Sequence, residues 1–183
     1  DEVAGVTALL TVVVKDKYGN IKTAFTKPSH SPTKNFIALL ALMGAIYDTF
    51  TDINGNTYNL SGSLWFTPTS LSIVVGSGTN SSPISSYKLA AQIPNGTGQG
   101  QLTYGNVNVS STITVSGSSA YFSIYNTFGN ASNVTVTVTE IGIMVGIAYG
   151  PCSACSIVSF TALVWYDAIS SISLAPGDTL TVT

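Results

Sequence analysis

The chain has 183 residues, of which 45% are hydrophobic and only 8% charged, with a formal net charge of −2 at pH 7. An ordinary soluble domain carries roughly 25% charged residues. Six lysines, no arginine and eight acids leave no basic stripe, which removes the electrostatic term from nucleic-acid binding and from docking on anionic membranes.

The length suits a single domain with a sizeable core, and a surface of Ser, Thr, Asn and Gly changes little with pH. The opening stretch DEVAGVTALLTVVV begins at Asp1 without Met. That start is expected of a secreted, extracellular chain after removal of its signal. Val6, Ala8, Leu10, Val12 and Val14 alternate onto one face, which is strand periodicity. The next turn, DKYGN, closes a hairpin through Gly19 and Asn20 and accounts for Val12 and Val14. Residues 1–10 have no local partner. They are expected to form an N-terminal donor strand, with Val3, Val6, Ala8 and Leu10 facing a neighbouring copy, ahead of one domain over 11–183. The alternative is an edge strand folded back into its own sheet.

One helix follows, in SPTKNFIALLALMGAIYD. Ser31 is its expected N-cap, Pro32 its first position, and Phe36, Leu40, Met43 and Tyr47 its stripe against a sheet. Its apolar run, residues 36–47, is shorter than the roughly 20 residues that cross a bilayer. TDINGN resembles a calcium loop, but its glycine falls one place early, so it reads as a hairpin turn. From residue 57 onward short runs rich in Val, Ile, Thr and Tyr alternate with Gly, Asn and Pro. The predicted fold is therefore mainly β: an antiparallel, Greek-key, pilin-like β-sandwich with one short packed helix.

Residues with possible chemistry are few. Asn59, Asn80, Asn95, Asn108, Asn130 and Asn133 head N-x-[S/T] triplets, candidates for N-linked glycans or simply turn residues. Asn80, Asn95 and Asn130 fall at predicted turns and are expected to be accessible. Cys152 and Cys155 in PCSAC are expected to form a local disulfide, since His30 is the only histidine for a zinc site and a βαβ redox context is missing. Glu140 shares the parity of Val134, Val136 and Val138 and so nominally points inward, where it needs a partner (a tyrosine, backbone groups, Lys88, or a role in an isopeptide), while a bulge at Gly142 would equally turn it outward. No nucleophile motif accompanies His30, and the eight acids give no facing carboxylate pair. No catalytic residue, metal site or cofactor other than glycan is expected.

The valine-rich leader DEVAGVTALL, the closing PGDTLTVT, the sequons and the scarcity of charge resemble the subunits of archaeal surface filaments called threads. That resemblance implies a type I pilin-like architecture, a glycosylated surface, and identical subunits joined head to tail by donor strands for adhesion to cells or surfaces, or for biofilm cohesion. A secreted carbohydrate-binding sandwich, with Trp65, Trp165 and tyrosines as stacking platforms, is the alternative from another class, and a viral capsid or tail protein is a third.

Overall fold

The computed structural model describes residues 7–29, 31–43, 48–60, 65–110, 112–117, 119–150 and 156–183. Its elements are β1 (Ala8–Lys15), β2 (Ile21–Ser29), α1 (Lys34–Met43), β3 (Thr49–Thr51), β4 (Thr57–Asn59), β5 (Trp65–Gly76), a 3-10 turn (Pro83–Ser85), β6 (Thr103–Tyr104), β7 (Asn108–Val109), β8 (Thr114–Ser116), β9 (Ser119–Tyr121), β10 (Ile124–Gly129), β11 (Val136–Gly150), β12 (Val158–Leu174) and β13 (Thr179–Val182). The chain is mainly β, with antiparallel sheets and, among the described residues, one α-helix, as its period-2 alternation predicts.

The single domain expected from residue 11 onward resolves into two compact units. The first comprises residues 1–30, 93–137 and 172–183; the second comprises 31–92 and 138–171. In the first unit the strands run in the order β2-β1-β13-β10-β6, with β7 also on β10. Val12 and Val14 of β1, Leu180 and Val182 of β13, and Phe128 of β10 are all buried, so the even-numbered positions form the inner face. Tyr104 packs edge-on against Phe128 at 4.7 Å between centroids.

In the second unit β12, β11 and β5 form a three-stranded sheet, accompanied by the β3–β4 hairpin and α1. Its core gathers around Phe160, which stacks flat on Tyr58 at 4.3 Å and meets Phe50 and Tyr149 at wider angles. The helix starts later than its sequence suggests. The Thr33 carbonyl accepts from the Phe36 and Ile37 N–H groups, so Thr33 takes the cap position expected of Ser31, and Pro32 instead bridges to Trp165. Its buried face shifts accordingly to Asn35 and Ala38, with Leu39 and Leu42 alongside, while Leu40 is exposed. Asn35 makes that face specific: its amide donates to the Thr51 and Leu163 carbonyls and accepts from the Thr51 N–H. Tyr47 lies outside the described residues.

Candidate functional site

The register of the first unit's sheet creates a strand-sized slot. Both β1 and β10 run antiparallel to β13, with Val12 and Asn126 on either side of Val182. Thr11 and Thr183 exchange both backbone hydrogen bonds, at 2.8 and 2.9 Å. Beyond Thr183, β1 continues back through Leu10, Leu9 and Ala8, and β10 back through Tyr125 and Ile124. Among the described residues no strand lies between these two segments.

Antiparallel ladders alternate, so the pair two residues from Thr11 faces the same way. Leu9 therefore turns its N–H and C=O into the slot. The opposite edge agrees: Leu9 lies across from Pro28 of β2, and a proline without N–H fits a pair that exchanges no bonds. On β10, the Ser123 and Thr127 carbonyls accept from Ser110 and Gly105 on the far side. Ile124 and Asn126 then face β13, and only Asn126 has a β13 residue opposite it. Among the described residues no strand pairs with the facing backbone edges of Leu9 and Ile124. Leu10 and the partly buried Ile124 line the slot's inner face, and Leu9 is 64% exposed on its outer face.

This geometry corrects the expected N-terminal extension. Ala8 and Leu10 do not belong to a free arm; they pair with Ser29 and Lys27 of the chain's own β2, and Leu10 is buried in its own core. The reason is length: β2 has nine residues and matches β1 from Lys15 back to Ala8. Val3 and Val6 lie outside the described residues, as do Cys152, Cys155 and His30.

The chain matches no family model, curated protein or solved structure. The remaining candidates therefore stand on geometry alone. Asn59, Asn95, Asn108 and Asn133 are exposed, and Asn80 is half-buried. Asn95 holds its oxygen on the Tyr104 N–H, whereas Asn108 donates its amide to the Asn106 carbonyl. Asn130 corrects the expectation of an accessible turn. It is 1% exposed, donates to the Val134 and Leu174 carbonyls, and accepts from the Ser132 N–H and hydroxyl. Both ends of its amide are consumed in holding the 130–134 turn.

Glu140 is wholly buried and finds backbone partners. Oε1 accepts from Ala91 at 2.7 Å and Gly78 at 3.2 Å, and Oε2 from Ala90 at 3.0 Å. It is the clamp between β11 and the 78–91 loop. Gly76 and Gly78 are required by that clamp, since a Cβ on either would collide with Oε1 and with the backbone of Ala91. Tyr166, also fully buried, accepts from the Asn80 N–H; burial pushes its phenol pKa up, and the nearby Glu140 charge adds to the rise.

Trp165 is half-buried. It is edge-on to Phe36 at 5.3 Å and donates its indole N–H to Asp167. Asn80, Ser85, Ser86, Tyr87 and Lys88 line a depression of about 260 Å³ in the second unit. Among the described residues no group of three or more His, Cys, Asp or Glu gathers, and no helix is long and apolar enough to cross a membrane.

Proposed function

We propose that this protein is an extracellular structural subunit that assembles with identical copies by strand addition, residues 1–7 of one copy entering the slot beside Leu9 and Ile124 of the next. The facing edges of Leu9 and Ile124, paired by no described strand, are the observation that carries this reading. A strand seated there gains hydrogen bonds from both flanks, each worth about 0.5–1.5 kcal/mol net. It also buries alternate side chains against Leu10 and Ile124. Within DEVAGVT, Ala4 and Val6 stand two apart and supply that alternation. Because donor and acceptor are different surfaces, the contact is head-to-tail and generates a filament wherever its rotation does not close into a ring. N-linked glycans on the exposed asparagines coat a surface that has few charges to keep it hydrated, and adhesion or biofilm cohesion is the use such a fibre serves.

Sedimentation velocity tests the reading with the full chain and a variant lacking residues 1–7. The full chain is expected to form long polymers and the deletion a folded monomer. Polymers of equal length from the deletion would overturn it.

A further inference from the structure

Two asparagines in the chain are followed directly by glycine, Asn54 and Asn95. Glycine has no side chain to shield its nitrogen, so in such a pair that nitrogen is able to approach the side-chain carbonyl carbon before it. Asn54 lies at the tip of the β3–β4 hairpin, exposed together with Gly55. Its backbone N–H donates to Asp52 Oδ1 at 2.8 Å, and the Gly55 N–H donates to the Asp52 carbonyl at 2.9 Å. Its side-chain amide makes no hydrogen bond among the described residues. Nor does the turn require asparagine there. The β1–β2 hairpin makes the same two bonds to Asp16 with Tyr18 in that place, and Gly19 has the same φ of +89° as Gly55.

Asn95 is held differently. Its side-chain oxygen accepts from the Tyr104 N–H at 2.9 Å, the Gly96 N–H donates to the Leu102 carbonyl, and the Leu102 N–H donates to the Pro94 carbonyl. Gly96 is half-buried, with Gln101 Oε1 crowding the place a Cβ would take. Side chain and backbone are therefore clamped on both sides of this pair.

We propose that Asn54 is a self-modification site, converting without an enzyme to aspartate and isoaspartate in the folded protein, while the clamped Asn95 is protected. Local opening of the exposed tip releases the Gly55 N–H from the Asp52 carbonyl, and the N–H gives its proton to solvent base. The Gly55 nitrogen then bonds to Cγ of Asn54. The Cγ–Nδ2 bond breaks, and ammonia leaves with a proton taken from water. Water opens the resulting five-membered imide at either carbonyl, giving aspartate or a backbone rerouted through the side chain. Nothing is oxidised or reduced, and water is the only co-reactant. Either product places a negative charge two residues from Asp52, whose carboxylate organises the turn and accepts from the Tyr58 hydroxyl. The rerouted backbone also lengthens a hairpin whose Phe50 and Tyr58 pack on Phe160. Conversion is therefore a slow, one-way loosening of the second unit, independent of how copies assemble.

Incubation of the full chain at mildly alkaline pH, followed by peptide mapping with mass spectrometry, tests this. Asn54 is expected to gain the mass of an amide-to-acid conversion and to resolve into aspartyl and isoaspartyl peptides, about tenfold or more faster than Asn95. In urea, where neither side chain is held, the two rates are expected to converge. Tyr18→Asn sets the same residue pair into the matching turn and is expected to gain conversion at position 18. Asn54→Ser is expected to keep its urea midpoint through an incubation in which the wild-type midpoint falls. An Asn54 that stays intact in the folded chain over a period that converts it in urea, or equal folded-state rates at Asn54 and Asn95, overturns the inference. A Tyr18→Asn chain that converts at Asn54 alone overturns the part assigned to the turn.

Discussion

Asn130 shows how one residue pattern serves two chemistries. N-A-S is a glycan acceptor when the asparagine amide is free, and a turn when the Ser132 hydroxyl bonds the Asn130 oxygen instead. The hydroxyl two positions on is common to both, so the sequence cannot separate them; burial does. Glycopeptide mass spectrometry of native protein is expected to find Asn130 unmodified, with any glycan on the exposed sites. Asn130→Gln, which removes the amide's bonds to the Val134 and Leu174 carbonyls, is expected to cost about 2–4 kcal/mol in urea unfolding, against roughly 0.5 or less for Asn133→Gln. Glu140 was only half legible: its parity with Val136 and Val138 pointed it inward, but a bulge at Gly142 would equally have turned it out. The identity of its partners was not legible, since they come from residues about fifty positions upstream. Glu140→Gln puts an amide N–H against backbone N–H groups that now meet a carboxylate. Urea denaturation is expected to show a loss of about 1–3 kcal/mol, with Gly76→Ala similarly damaging through its collision with the clamp.

Two hairpin turns are built from one short pattern, D-x-x-G-N, at Asp16–Asn20 and Asp52–Asn56. In each, the aspartate Oδ1 accepts from the N–H groups two and four residues on, Oδ2 accepts from the closing asparagine amide, and the glycine takes a φ of +89°. Such local chemistry is why the turns and the strands beside them were legible in sequence. The β1–β13 pairing joins distant parts of the chain and leaves no local signature, while Ala8–Leu10 were missed because they pair with the far end of β2, whose nine-residue length no turn residue marks. The helix face was misplaced by the same kind of distant contact, Thr33 and Asn35 binding the Leu163 carbonyl. The Asp52 turn also makes a pH prediction. Burial pushes its carboxyl pKa up, but the bonds from Asn56, Asn54 and Tyr58 outweigh that and hold it below 3.8. A carboxyl lowered by folding stabilises the fold above its unfolded pKa, and that contribution is lost as pH falls through the lower folded value. Unfolding by urea is expected to become easier below about pH 4. Asp52→Asn is expected to weaken the protein at pH 7 and to shrink this acid-side loss; an unchanged acid limb would remove Asp52 as its cause.

At the scale of the whole molecule, a chain with so few charges has little electrostatics with which to choose its partners, and specificity falls to backbone geometry. The slot is the clearest such device. Its line is that of β13, so a strand appended directly after Thr183 needs no turn to enter it. Four added residues, Val-Thr-Val-Thr, continue the alternation in which Leu180 and Val182 point inward, placing the first new valine opposite Leu10 and Ile124 and the second opposite Ala8. The extended chain is expected to fill its own slot. Two partly buried valines and the new ladder bonds amount to about 2–4 kcal/mol, enough to raise the thermal midpoint by several degrees. The appended strand is tethered beside its acceptor, so it outcompetes a strand offered by another copy at micromolar concentration. Sedimentation of the extended chain is therefore expected to give a stable monomer where the parent chain polymerises. An extended chain that polymerises as fast as its parent, with an unshifted melt, would mean that Leu9 and Ile124 do not form the acceptor.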